Sequence, residues 1–174
     1  MGYWRHSGQV FPRSVFLILC LRAILAVALL LCGATAFCAA PIGIQNSNPG
    51  NISGKNLKFW RRHGATGRDC FGHLIFRRDI DGLRAMRFVL AAYGRKGHDT
   101  IRDIAHRWTG HPLDLGRYGY ATCLCQRLHA GLDDRLDMTP ATIEALARAL
   151  VLAENGRDPY PARLWREASL GQDG

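Results

Sequence analysis

The run DGLRAMRFVLAAYGRKGHDTIRDIAHRW, residues 81–108, constrains this chain more than any other stretch, because it specifies two amphipathic helices and the break between them. Leu83, Met86, Val89, Leu90 and Tyr93 recur three and four apart, which puts them on one face of a helix. Asp81 is placed to cap the first turn, its carboxylate accepting free amide hydrogens. Gly94 reads as a left-handed stop, with Arg95 and Lys96 beside the negative end of the dipole. Asp99 or Thr100 then caps a second helix that turns Ile101, Ile104, Ala105 and Trp108 inward. A short link predicts an antiparallel helical hairpin. Such faces are core before they are anything else, so the hairpin predicts a helical heart and no particular activity.

The remaining elements follow from local chemistry. Residues 41–53 (PIGIQNSNPGNIS) are rich in Gly, Pro, Asn and Ser, and read as a linker. Within it Asn48-Pro49-Gly50-Asn51 is a turn signal, Pro49 fixing φ and Gly50 accepting a positive φ. Residues 55–68 are basic around Phe59 and Trp60, and Trp60 reads as a plug at the edge of a core. The run CFGHLIFRR, residues 70–78, is the one convincing strand. A helix is expected over about residues 117–130, with Tyr120 or Ala121, Leu124, Cys125 and Leu128 inward. A longer one starts at Thr139 with Pro140 in the favoured first position, buries Ile143, Leu146, Ala147, Leu150 and Val151, and ends at Asn155-Gly156. A short helix over 162–170 closes the chain. The predicted fold class is mainly α with one small β element, in a helical globular domain spanning 54–174.

Residues 1–40 form an appendage with the pattern of a targeting segment. Arg13 and Arg22 flank the apolar run VFLILCL, and AILAVALLLCGATAFCAA follows. One reading is a cleaved secretory signal, with Ala34-Thr35-Ala36 before a cut at Phe37. The other is a retained anchor over 15–37, in which Arg22 snorkels. Leu31 and Phe37 are too large to precede a lipoprotein cysteine at Cys32 or Cys38. Either way the globular part is expected outside the cytoplasm, periplasmic, extracellular or held at the inner membrane.

Location matters because the chain is basic, with a net charge of +9. Three cations and no acid fall in the appendage, which leaves 20 cations against 14 acids in the rest. Most are arginine, suited to bidentate contact with phosphate or carboxylate. Export argues against a nucleic-acid role and for acidic envelope polymers, so no nucleic acid is expected as partner.

Glu154 is the most suggestive acid, because it lies at the C-terminal end of its helix. A carboxylate there meets the negative end of the dipole, and a retained proton is what a general acid for glycoside cleavage needs. Asp114, in the loop after Pro112, is the candidate second carboxylate. Cys70-x-x-His73 and Cys123-x-Cys125-x-x-x-His129 contain enough ligands for zinc, but the spacing fits no standard module. No metal and no cofactor are expected. In an oxidising compartment Cys70 would sooner bridge to Cys123 or Cys125, and otherwise the thiols are small apolar fillers.

The order of motifs NPGNI, Trp60, GHLIFRRDIDGLRA, GHDTIRDIAHRW and AENGRDPY resembles a family of small phage and prophage virion proteins, often called phage structural proteins. The likeness covers about residues 48–160. In that family the Arg-Trp leads into a Pro-x-Glu-Asn loop followed by Thr and Tyr. Here Pro112-Leu113-Asp114-Leu115 stands in that place, with Arg117 and Tyr120 behind it. A carboxylate therefore persists, while Leu115 replaces the Asn and Arg117 the Thr. The resemblance implies a virion or prophage-derived protein acting at the bacterial envelope, with cell-wall polymer or other virion proteins as partners. The alternative is a lysozyme-like peptidoglycan glycan-strand hydrolase with Glu154 as acid and Asp114 as its partner. Asn48, Asn51, Trp60, Asn155 and Tyr160 are the expected binding residues.

Overall fold

The computed structural model describes residues 3–6, 9–12, 40–111 and 119–170. It falls into two units, 1–39 and 40–174. In the first, β1 (Tyr3–His6) pairs antiparallel with β2 (Gln9–Pro12), setting Tyr3 opposite Pro12 and His6 opposite Gln9. Tyr, Trp, Val and Phe in these segments favour an extended ribbon, which the targeting pattern of the region hid. Residues 13–39, with the apolar run, the Ala34-Thr35-Ala36 site, Cys32 and Cys38, lie outside the described residues. Among those described, no helix is long and apolar enough to cross a membrane.

The second unit is mainly α with one two-stranded sheet, as the sequence predicted. Its elements are α1 (Ile42–Gln45), α2 (Leu57–Arg62), β3 (Ala65–Arg68), β4 (Leu74–Phe76), α3 (Asp79–Arg95), α4 (Ile101–Thr109), α5 (Tyr120–Leu128), α6 (Pro140–Asn155) and α7 (Ala162–Ser169). The expected strand is β4. Its antiparallel partner β3 lies in the basic stretch 55–68, where Gly64 and Gly67 leave no strand pattern in the sequence. Gly64, at φ 89°, turns the chain into β3, and Gly67 sits at an irregularity in the register, so both glycines serve the strand they appeared to break.

The stretch 41–53 is not a linker. The packed unit begins at Ala40, α1 forms directly after Pro41, and Gly43, Asn46 and Asn48 are all buried. The turn at 48–51 explains a second departure. The helices α3 and α4 do not pair as a hairpin; α3 packs mainly on α6 and α7, while α4 packs on α5. Gly50 stands between them, where a Cβ would come within 2.6 Å of Trp108 Cζ2 on α4 and 3.0 Å of Met86 Cγ on α3. The turn is a wedge, and the two helices meet chiefly at its edge through Tyr93 and Trp108, whose rings lie 6.4 Å apart.

The helix ends that the sequence marks form by local rules, with two exceptions. Thr100 caps α4 by accepting from the Asp103 amide at 3.2 Å, and Thr139 caps α6 by accepting from the Thr142 amide at 3.3 Å. Gly110 and Gly156 end those helices in the left-handed conformation. The first exception is Asp81. Arg78 occupies the cap of α3, and Asp81 lies within the first turn with its carboxylate clamped by Arg78 at 2.8 and 3.1 Å. The second is Gly94, which is helical, and α3 continues to Arg95 before Gly97 takes the positive φ. Gly94 is small for a packing reason, since Met138 lies where its Cβ would be.

Two clusters of buried residues make the core. The larger joins Leu83, Met86 and Leu90 of α3 to Ile101 and Ile104, Leu124, Leu146 and Leu150, and Trp165. The smaller gathers Trp60, Ala65, Leu74 and Phe76 about Ala85 of α3. That helix therefore belongs to both. A chain of charges fastens α6 to its neighbours: Arg87 of α3 faces Glu144 at 3.7 Å, Glu144 accepts from Arg148 at 3.0 Å, and Arg148 reaches Asp158 at 3.3 Å while stacking over Trp165. Cys70, Cys123 and Cys125 are free thiols, so the expected bridge is not present. The cysteine–histidine sets do not converge either; among the described residues no three of His, Cys, Asp and Glu gather where an ion would sit.

Candidate functional site

The end of α6 delivers Glu154 to the junction of the 48–51 turn, α4 and α5, where the carboxylate is half-buried and meets three donors. Asn51 Nδ2 donates to Oε2 at 2.9 Å. Trp108 Nε1 and the Tyr120 hydroxyl both donate to Oε1, at 3.2 and 3.0 Å. Among the described residues Glu154 has no ion pair, and the three donors it meets there are neutral dipoles. Each donor is aimed by its own element. Asn51 takes a positive φ of 47°, which turns its amide toward α6. Trp108 is in the last turn of α4 and Tyr120 in the first turn of α5. Burial raises the pKa of the Tyr120 hydroxyl, and the neighbouring Glu154 raises it further, so this donor keeps its proton.

Asn155, the next residue, fixes the turn from the other side. Its Nδ2 donates to Pro49 O at 2.6 Å and Val151 O at 3.0 Å. Its Oδ1 is buried without a hydrogen-bond partner, as is that of Asn51, and both lie beside Gly43, where a Cβ would come within 2.9 Å of each. The missing side chain at Gly43 is what lets α1 close over the two amides.

The expected site residues therefore separate into three groups. Glu154, Asn51 and Asn155 come together. Asn48, Trp60 and Tyr160 serve the core instead. Asn48 is fully buried and uses its amide on Leu74 O, Ile52 O and the Ile52 amide. Trp60 is the plug expected of it, edge-on to Phe59, Phe76 and Phe88, with Gly54 pressed against its indole. Tyr160 is buried edge-on to Trp165. Asp114 and the rest of residues 112–118 lie outside the described residues. Sequence reasoning missed Trp108 and Tyr120 as partners of Glu154, reading both as apolar-face residues.

Beside Asn51 and Trp108 opens a cavity of about 220 Å³, walled further by Trp60, Tyr93 and Arg107. Glu154 does not line it, although its donors Asn51 and Trp108 do. A second and larger hollow, about 990 Å³, lies along the opposite side of α3 and shares no lining residue with the first.

Fold and site together define a small, mainly α module in which one half-buried glutamate gathers donors from three separate segments. No protein-family model matches the chain, and no curated protein matches it.

Proposed function

We propose that this chain is a phage-type virion or prophage-derived protein that works at the bacterial cell envelope, and that Glu154 is a fastening point of its fold. The observation that carries this reading is the convergence on one carboxylate of residues from separate motifs of the resemblance. Asn51 comes from NPGNI, Trp108 from the end of GHDTIRDIAHRW, Tyr120 from behind the proline loop, and Glu154 itself from AENGRDPY. A set of motifs spread along some hundred residues is explained at once if their shared task is to close this contact. The occupancy of the carboxylate fits the same view. Both lone-pair directions of Oε1 are taken by protein donors, one of Oε2 is taken as well, and the cavity alongside is lined by Asn51 and Trp108 instead of by the acid.

The rival reading, a peptidoglycan glycan-strand hydrolase, rests on that cavity, because Trp60, Tyr93 and Trp108 are the kind of aromatic wall a sugar ring stacks against. One variant separates the two. Glu154→Gln places an amide donor among three donors, so a fastening role predicts a fall in thermal stability on the order of 1–3 kcal/mol. It also predicts no clearing of purified cell walls by wild type or variant. Clearing by the wild type that Glu154→Gln abolishes, with the melting temperature unchanged, would establish the hydrolase in its place.

A further inference from the structure

The larger hollow has a composition that the Glu154 centre does not explain. Six arginines line it, Arg61, Arg62, Arg77, Arg78, Arg84 and Arg95, against the single acid Asp81. Arg78 is already neutralised by Asp81 at 2.8 Å, and Arg84 donates to Glu167 O at 3.2 Å. Arg61, Arg62, Arg77 and Arg95 are exposed and form no ion pair among the described residues. Like charges gathered without counter-charges repel one another, so the arrangement costs folding stability unless an anion from outside occupies it.

Its shape narrows the kind of anion. Arg84, Phe88, Ala91 and Arg95 recur along one face of α3 at spacings of four, three and four. Eleven residues of helix advance about 16 Å, so the hollow is a trough and not a socket for a single ion. Arg61 and Arg62 at the end of α2 form one wall, and Arg77 and Arg78 before α3 form another. Guanidinium groups on opposite sides of such a trough suit phosphates spaced along a flexible chain, each able to take a bidentate contact. Stacking platforms are sparse: Phe88 is half-buried against Phe59 and Trp60, and only the His63 ring lies exposed beside it. Single-stranded nucleic-acid grooves lay successive bases on aromatic rings, and this trough has no such row.

We infer that the arginine trough along α3 binds a linear, base-free phosphate polyanion, recognising the spacing of its charges. Two sources share that chemistry, a polyol-phosphate polymer of the envelope and inorganic polyphosphate.

The test is titration of the full-length chain, by fluorescence anisotropy or calorimetry, with poly(glycerol phosphate), with inorganic polyphosphate and with oligo(dT) of matched charge. The variant Arg62→Gln/Arg77→Gln/Arg95→Gln removes three charges from the trough. A control, Arg127→Gln/Arg157→Gln/Arg163→Gln, removes three exposed charges that do not line it. The expected result is binding of at least one base-free polymer that weakens at least about tenfold in the trough variant, with a shallower salt dependence, and is retained by the control. Circular dichroism should match wild type in both variants, and without added polymer the melting temperature of the trough variant should be no lower than that of wild type, because removing like charges relieves their repulsion. The tighter of the two polymers identifies the source. Equal losses in both variants would reduce the effect to bulk charge and overturn the inference, as would absence of binding. Oligo(dT) binding tenfold tighter than both polymers would overturn it in favour of a nucleic-acid site.

Discussion

Asn48 shows how far a single side chain can differ in role from its neighbour in the same motif. Both amide hydrogens and the carbonyl oxygen of Asn48 are engaged inside the protein, within a fully buried site. Asn51, three residues on, turns its amide outward to Glu154. Replacing Asn48 by Ala strands the Ile52 amide and takes a donor from the Leu74 and Ile52 carbonyls, the latter keeping the Leu74 amide at 2.8 Å. The change is expected to lower the unfolding free energy by about 2–3 kcal/mol, read as a shift of the urea midpoint. Asn48→Asp should destabilise at least as much at neutral pH, because a carboxylate would face two carbonyl oxygens. A shift under about 0.5 kcal/mol in both would mean that water replaces the amide without penalty. At this scale the sequence showed which residues matter better than it showed why. The letters N-P-G-N and E-N-G mark special backbone, but do not say which asparagine points inward. The position of Glu154 was legible from the helix end. Its donors were not, for they come from 103, 46 and 34 residues away.

Elements were legible where their ends are written locally. Thr139, Pro140 and Gly156 delimit α6 as expected, and Thr100 opens α4, because capping depends on the residues within one turn. The partnership of α3 with α4 was not legible, because the intervening object is a turn from far upstream. Gly50 is the telling residue. The sequence suggested a glycine chosen for positive φ, yet the positive angles in this stretch belong to Ser47 and Asn51. Gly50 is instead small so that the turn fits between Met86 and Trp108. Two substitutions separate these reasons for glycine. Gly156→Ala meets nothing within 4 Å but must hold an angle of 69°, and should cost about 1 kcal/mol with the Glu154 contact intact. Gly50→Ala must displace the Trp108 ring, and should cost about 1–3 kcal/mol while shifting the tryptophan fluorescence as the indole leaves Glu154. If Gly50→Ala left both stability and fluorescence unchanged, the wedge would not be what separates the helices.

The molecule as a whole places three tyrosines, Tyr93, Tyr120 and Tyr160, in or against its larger cluster, and they give it a definite response to alkali. Burial raises the pKa of all three hydroxyls above the ordinary value of 10.0; Glu154 adds to the rise at Tyr120, Asp79 and Asp158 add at Tyr160, and Arg107 opposes it at Tyr93. In the unfolded chain the same groups ionise near pH 10. Above that pH the unfolded state therefore binds fewer protons than the native state, and stability falls as pH rises. Below pH 10 the three contribute no slope. The limiting loss is about 1.4 kcal/mol per pH unit for each tyrosine that stays neutral in the fold. Burial also pushes the Cys125 thiol above its ordinary 9.0. Urea unfolding of the full chain at pH 8, 10 and 11 should therefore show a shallow fall over the first interval and a steep one over the second. Tyr120→Phe gives up one hydrogen bond, about 1 kcal/mol at pH 8, and also one of the three alkaline slopes. Its stability should thus start below wild type and close on it as pH rises, the two curves converging between pH 10 and 11. Curves that stay parallel would mean that Tyr120 ionises as readily in the fold as in water, and the contact with Glu154 on which the site depends would have to be abandoned.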